Sequence, residues 1–295
     1  MNRKILIEKI IKAVLFVCAA FSVALVLFMI GYMATNGYNQ LITWFAYGFG
    51  NPSFPGRPLP YLFDTIYVSV GGTMIGALVG IPCAVYLAEF SSFKLRNTLK
   101  PVIEVLNGFP SIVMGMLVFV LFCNAVLTRY NVPTFSTVHG LTVSAAWLVL
   151  GIMSLPVIVS ISEDSLRAVP NELREASFGL GATRWQTATK VLVPAALSGI
   201  FVSILLALLD AMGETMAVLM VIGQVTPPPI TLNPLSGGNV ITSVIASIVS
   251  GGETMGLEWF FGLAVLLFLM TLLMNVAVRM TKRRISRLGA QKGGT

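Results

Sequence analysis

Two carboxylates four positions apart, Asp210 and Glu214, interrupt one of the most apolar runs of this chain, Val191 to Ile222, and Gly213 and Thr215 flank the second of them. On a continuous helix residues i and i+4 share a face, so two ionised carboxylates there repel and at least one favours its protonated form. An acidic side chain at membrane depth costs about 3 kcal/mol unless it faces a cavity or a partner. Facing a cavity, such a group can pair with a cation or accept a hydrogen bond from a protonated substrate. Facing a neighbouring helix, it is structural. The cavity reading is favoured for Asp210, Glu214 and Thr215, with Gly213 allowing close approach of a helix or substrate. Glu104, near the end of another apolar run, divides evenly between the two readings.

Other chemistries lack their residues. The single histidine, His139, stands apart from any nucleophile motif, and the sequence has neither an HExxH zinc motif nor a GxxxxGK[ST] phosphate loop. The chain is therefore expected not to be an enzyme, and any ATP hydrolysis must come from a separate subunit. Cys18, Cys83 and Cys123 fall inside apolar runs, where cysteine behaves as a small hydrophobe. No disulfide, metal or cofactor site is expected.

The elements that must carry these residues follow from composition. Of 295 residues, 56% are hydrophobic and 11% charged, against about 25% charged in soluble domains. A span needs about 20 apolar residues. Ala13–Met33, Ile66–Leu87, Leu141–Ile161 and Trp259–Val278 meet that requirement without an Asp, Glu, Lys, Arg or His. Pro110–Leu127 is short but extends backward through Asn107 toward Glu104, with Pro110 as a kink, and counts as the third span. Val191–Ile222 is the fifth; as one helix at about 1.5 Å per residue it measures about 48 Å, so its lower end must project beyond the ~30 Å hydrocarbon core. The expected fold is an all-α polytopic membrane protein with about six transmembrane helices, a single permease domain over residues 1–295.

Orientation comes from the basic residues. All 19 except Arg57 and Arg129 fall before the first span, in the loops after the second and fourth, or in the C-terminal tail, which places those regions and both termini in the cytoplasm of a multi-pass cell-membrane protein. The charge is thus topology, and nucleic-acid binding is not expected. The apolar run after Met1–Lys12 is too long for a signal peptide and reads as an uncleaved first span. Outside, Ala34–Pro60 carries Trp44, Phe45, Tyr47, Phe49 and Phe54, read as membrane anchoring at headgroup level. Between Gln224 and Glu258, after Pro227, Pro228 and Pro229, the run Asn239–Val249 is too short to span and reads as a re-entrant or interfacial helix.

The inside loop 162–190 carries a pattern of its own. Pro170 is placed to open a helix, Leu173, Ala176, Ser177 and Leu180 recur on one small-residue face, and Gly179 and Gly181 end it. Thr183 and Gln186 then fit a capping box that starts a helix running into the fifth span. On pattern alone this short helix is either an ordered loop or a docking element.

Glu175-Ala176-Ser177, then Gly181, then Val191-Leu192-Val193-Pro194 resemble the EAA motif of ABC importer permeases. The Glu, first Ala, Gly and Pro stand at the motif's spacing. The resemblance implies a type I ABC importer permease fold in which this loop is the coupling helix, with Glu175, Ala176, Gly181 and Pro194 serving the ATPase contact. Glu104-Val105-Leu106-Asn107-Gly108-Phe109-Pro110-Ser111-Ile112-Val113 and Gly213-Glu214-Thr215-Met216-Ala217-Val218 further resemble the phosphate-specific importer permeases, the second stretch being closer to PstC than to PstA. This likeness covers about residues 60–285. It implies a permease forming half of an inorganic phosphate path, with a PstA-like second permease, a PstB-like ATPase dimer and a PstS-like external phosphate-binding protein as partners.

The chain departs from that family at Asp210, where the pattern has Arg four positions before the Glu. With no Lys or Arg near mid-depth, it cannot neutralise a phosphate dianion alone; positive charge or amide donors must come from a second permease or from helix ends. A carboxylate can still meet an oxyanion that brings its own proton. Hydrogen phosphate has one, and sulfate at neutral pH does not. A permease for another oxyanion, sulfate or molybdate, and a non-transporting membrane scaffold are the alternatives.

Overall fold

The computed structural model describes residues 3–49, 57–122, 141–225, 230–251 and 256–292, and every regular element among them is helical. In chain order these are α1 (Arg3–Thr43), α2 (Leu59–Val85), α3 (Phe93–Val105), α4 (Ser111–Val118), α5 (Val143–Arg167), α6 (Asn171–Gly179), α7 (Arg184–Thr187), α8 (Val193–Gly213), α9 (Met216–Val221), α10 (Ile241–Val249) and α11 (Leu257–Lys292). Wider π-turns extend α1 through Gly48 and α2 through Phe90, and join α7 to α8. Five stretches are long and apolar enough to cross a membrane: Ile7–Gly48, Leu59–Phe90, Val143–Arg167, Arg184–Gly213 and Leu257–Thr281.

The third expected span is a broken element rather than a kinked helix. Phe93–Gly108 and Ser111–Phe122 meet at 97°, and residues 123–127, with Cys123, lie outside the described residues. Proline explains the break: it lacks an N–H and drives the residue before it into extended backbone, and Phe109 has ψ 132°. The fifth span is interrupted too. Helix α8 stops at Gly213, Glu214 is extended with ψ 129°, and α9 restarts at Met216. The single long helix expected over Val191–Ile222 is therefore two helices with a joint at the second carboxylate.

Small residues let the central helices touch. Along α2, Gly72 lies against Leu150, Gly76 against Ser154 and Gly80 against Ile158, all on α5. Since lipid tails offer no hydrophobic drive between helices, such close backbone approach supplies the packing that holds them. Val68, Val149, Leu150, Ala211, Val218 and Ile222 complete the core where α2, α5, α8 and α9 meet. Helix α1 packs along α11 and presents the rest of its apolar surface outward.

A second core sits at the end of the bundle that carries α10. Trp44 is fully buried, edge-on to Trp259 at 5.6 Å between centroids, and Tyr61 packs on the same ring at 5.4 Å. Trp44 is thus internal packing and not the membrane anchor expected of it, whereas Phe45 and Tyr47 are exposed. The short helix expected within Asn239–Val249 forms as α10, with Ile241 and Val244 in this core. Pro227, Pro228, Pro229 and Phe54 lie outside the described residues.

Candidate functional site

The two breaks face each other. Helix α4 packs on α9, and Gly115 of α4 approaches the backbone of Ala217 so closely that a Cβ there would sit 2.8 Å from its carbonyl oxygen. Beneath that contact lies a cavity of about 170 Å3. Asn107 and Phe109 enter it from the first break, Met153 and Ser154 from α5, and Asp210 and Glu214 from the end of α8. The structure brings the two predicted carboxylates into one cavity, but by a different geometry from a shared helical face, because the helix ends between Asp210 and Thr215.

The chemistry at the joint follows from what a helix end leaves unsatisfied. Glu214 Oε1 accepts from the backbone N–H of Thr215 and of Ala217, both at 3.1 Å, which satisfies amides at the start of α9. Its own carbonyl oxygen accepts from Thr242 Oγ1 at 2.8 Å. Asp210 has no hydrogen-bonding or ionic partner among the described residues. Among the described residues, none of those lining the cavity is basic. The cavity can accept hydrogen bonds from a ligand or pair with a cation, and Asn107 adds an amide able to donate.

Two predicted residues stand elsewhere. Glu104 lies below the cavity on exposed surface and accepts from Ser160 Oγ of α5 at 3.1 Å. Thr215 turns its hydroxyl back onto the carbonyl of Gly213 at 3.2 Å and does not line the cavity.

The loop expected to dock a partner is an ordered projecting hairpin of helices. Helix α6 follows Pro170 and ends in a turn where Gly181 has φ 81°, a region that side-chain-bearing residues avoid. The capping box forms in full: Gln186 N–H donates to Thr183 Oγ1 at 3.3 Å, and Thr183 N–H donates to Gln186 Oε1 at 2.9 Å. Ser177 faces inward and shares a 2.9 Å hydrogen bond with Thr187, whereas Leu173, Ala176 and Leu180 face solvent. The four do not form one packed face, because the hairpin buries only the serine. Glu175 is exposed, and Pro194 sits in the first turn of α8.

Three charged residues escaped the sequence reading. Arg174 reaches back from α6, donating to Glu89 Oε1 at 2.8 Å and to the carbonyls of Leu166 and Val169 at 2.9 and 2.8 Å. Glu163, two residues past the expected fourth span, is fully buried and accepts from Arg96 Nε at 2.6 Å and Lys100 Nζ at 2.7 Å, clamping α3 to α5. Asp64, two residues before the expected second span, is buried and accepts from the Asn239 N–H at 2.8 Å. For Glu163 and Asp64 the helix runs further than the uncharged window, so the charge marks the window's edge and not the helix's end.

Residues 80–287 match the profile of a family described as "binding-protein-dependent transport system inner membrane component". The chain is 34% identical to the probable ABC transporter permease protein YqgH of Bacillus subtilis, over 77% of this chain and 72% of that one. It is 30% identical to the phosphate transport system permease protein PstC of Mesorhizobium japonicum (78% and 74% covered) and 30% identical to PstA 1 of Mycobacterium tuberculosis (78% and 71%). Among solved structures, an inward-facing form of the MetNI methionine ABC transporter superposes with a TM-score of 0.61 at 20% identity, covering 77% of this chain and 95% of that one.

Proposed function

We propose a function from one established premise: this chain belongs to the family of binding-protein-dependent transport system inner membrane components. It is a permease subunit of an ABC importer, with the type I importer fold. Beyond that, the proposed cargo is inorganic phosphate. Relatives named as phosphate permeases support this reading, as do the stretches around Asn107 and Glu214.

The observation that carries it is the cavity between the two breaks, whose only ionisable lining groups among the described residues are Asp210 and Glu214. Such a wall repels a fully ionised anion. It receives a ligand that carries its own proton, since a P–O–H can donate to a carboxylate while Asn107 donates to a bare phosphoryl oxygen. A second permease then supplies the cation, and Asp210, which has no partner among the described residues, is the group placed to meet it. In the assembled importer α6 docks on the ATPase dimer through Glu175, Ala176 and the turn at Gly181, and an external phosphate-binding protein delivers the cargo.

Reconstituted uptake tests this. Phosphate should be carried and sulfate should compete poorly, and Glu214→Gln and Asp210→Asn should each lower phosphate uptake at least tenfold with the complex intact. Normal uptake in both variants, or a preference for sulfate or molybdate, defeats the reading. For orientation, the basic residues place α6 and the C-terminus in the cytoplasm. A cysteine replacing Gln291 should react with an impermeant thiol reagent only in inverted vesicles; reaction in right-side-out vesicles reverses the topology.

A further inference from the structure

Residues 237–240 run buried through the bundle without regular structure, and buried backbone without internal partners must be satisfied from elsewhere. Two neighbours on α2 do this. Asp64 accepts the Asn239 N–H at 2.8 Å, and Thr65 Oγ1 accepts the Ile241 N–H at 3.0 Å. Val240, which precedes the first turn of α10, offers no side-chain cap. Asp64 and Thr65 therefore cap the start of α10 from another helix, each supplying a side-chain oxygen to a backbone N–H. The fit is close: a Cβ on Gly238 would lie 3.0 Å from Asp64 Oδ2 and 3.1 Å from Val143.

One residue into α10, Thr242 donates to the carbonyl of Glu214 at 2.8 Å. That carbonyl belongs to the extended residue at the break, where a helix end leaves its acceptors without partners inside the helix. Three side-chain hydrogen bonds thus run from α2, through the start of α10, to the joint that carries the cavity carboxylate. Gly238 N–H adds a backbone bond to Ile222 at the far end of α9, so both ends of α9 are tied to this buried segment and the helix it leads into.

We infer that Asp64 and Thr242 are positioning residues for transport: Asp64 fixes the start of α10, and Thr242 uses that helix to hold the Glu214 joint in its cavity-lining geometry. A shift of α10 moves the joint, so a change on this outer segment reaches the cavity without touching its walls. The transport arm of this inference rests on Glu214 lining the path; the geometric arm does not.

The test uses the assembled importer with Cys18, Cys83 and Cys123 replaced by alanine. A reporter cysteine goes at Gly213, beside the joint, where an added Cβ meets nothing within 4 Å. Thr242→Val keeps the shape and removes the donor; Thr242→Ser keeps the donor. In the valine variant the thiol labelling rate at the reporter should rise about fivefold, the scale of one net hydrogen bond, and serine should restore it. Asp64→Asn, which retains an acceptor oxygen, should shift labelling less than Asp64→Leu. In the same variants without the reporter, the maximal rate of phosphate uptake should fall with Thr242→Val and recover with Thr242→Ser. Unchanged labelling in Thr242→Val overturns the inference whatever uptake does. If labelling shifts as expected but Glu214→Gln carries phosphate normally, the positioning stands and the path reading fails.

Discussion

Around α3, α5 and α6, charged groups withdrawn from solvent are held by several partners at once. Glu163 hydrogen-bonds Arg96 and Lys100, with Arg167 at 3.8 Å, and Arg174 binds one carboxylate, two carbonyls and the Asn171 side chain. At the helix breaks, Asp210 has no partner among the described residues and Glu214 binds only backbone amides. Glu163 is fully buried and Arg174 partly so, whereas Asp210 is exposed and Glu214 half-buried, so the first region must compensate its charges internally and the second need not. A charge satisfied inside the chain fixes the chain's own geometry. A charge left unsatisfied at a cavity is available to something the chain does not contain. The first region is therefore read as the frame that transmits force, and the second as the surface that meets cargo and partner.

That difference can be broken most directly at Glu163. Removing this fully buried carboxylate leaves the mostly buried Arg96 without an ionic partner and Lys100 with Asp164 alone, at a cost of about 3 kcal/mol. Glu163→Leu should lower the thermal denaturation midpoint in detergent more than any other single change considered, and should free α3 from α5. Asp210→Asn should leave that midpoint nearly unchanged while abolishing uptake. A Glu163→Leu protein as stable as the parent would mean that the cluster is not a clamp, and the contrast between the regions would collapse.

Legibility in the sequence divides along the same line. The ends of the helix pair around α6 were readable, because Pro170, Gly181, Thr183 and Gln186 act within a few positions of themselves and the observed bonds are local, whereas the expected face of Leu173, Ala176, Ser177 and Leu180 was not. The spans were readable wherever long uncharged windows coincide with helices. The two breaks were not. Pro110 reads equally as a kink or a 97° turn until the packing of α4 on α9 is known, and nothing in Gly213-Glu214-Thr215 announces a helix end. Asp64 and Glu163 were hidden for a further reason: their partners, Asn239 and Arg96, are remote in sequence, so the compensation that lets α2 and α5 extend past a charge is invisible along the chain. Trp44 was misplaced by the same logic, since its ring partner Trp259 comes from another helix.

The smaller effect is expected at the turn after α6, and it sharpens the comparison by separating shape from contact. Gly181 has φ 81°, yet a Cβ there would meet nothing within 4 Å. A substitution therefore meets no steric wall, and its cost is the backbone alone, about 1–2 kcal/mol for a residue forced into the left-handed region. Valine, branched at Cβ, pays the most, and asparagine, which tolerates that region, pays less. Gly181→Val should consequently leave membrane insertion and the thermal midpoint close to the parent while shifting the turn that sets the angle between α6 and α7. If that angle governs contact with the ATPase, phosphate-stimulated ATP hydrolysis should fall severalfold, with Gly181→Asn intermediate. Were uptake and stimulated hydrolysis the same in all three proteins, the turn would be mere connection, and the force-transmitting reading of this end would have to rest on the ion pairs alone.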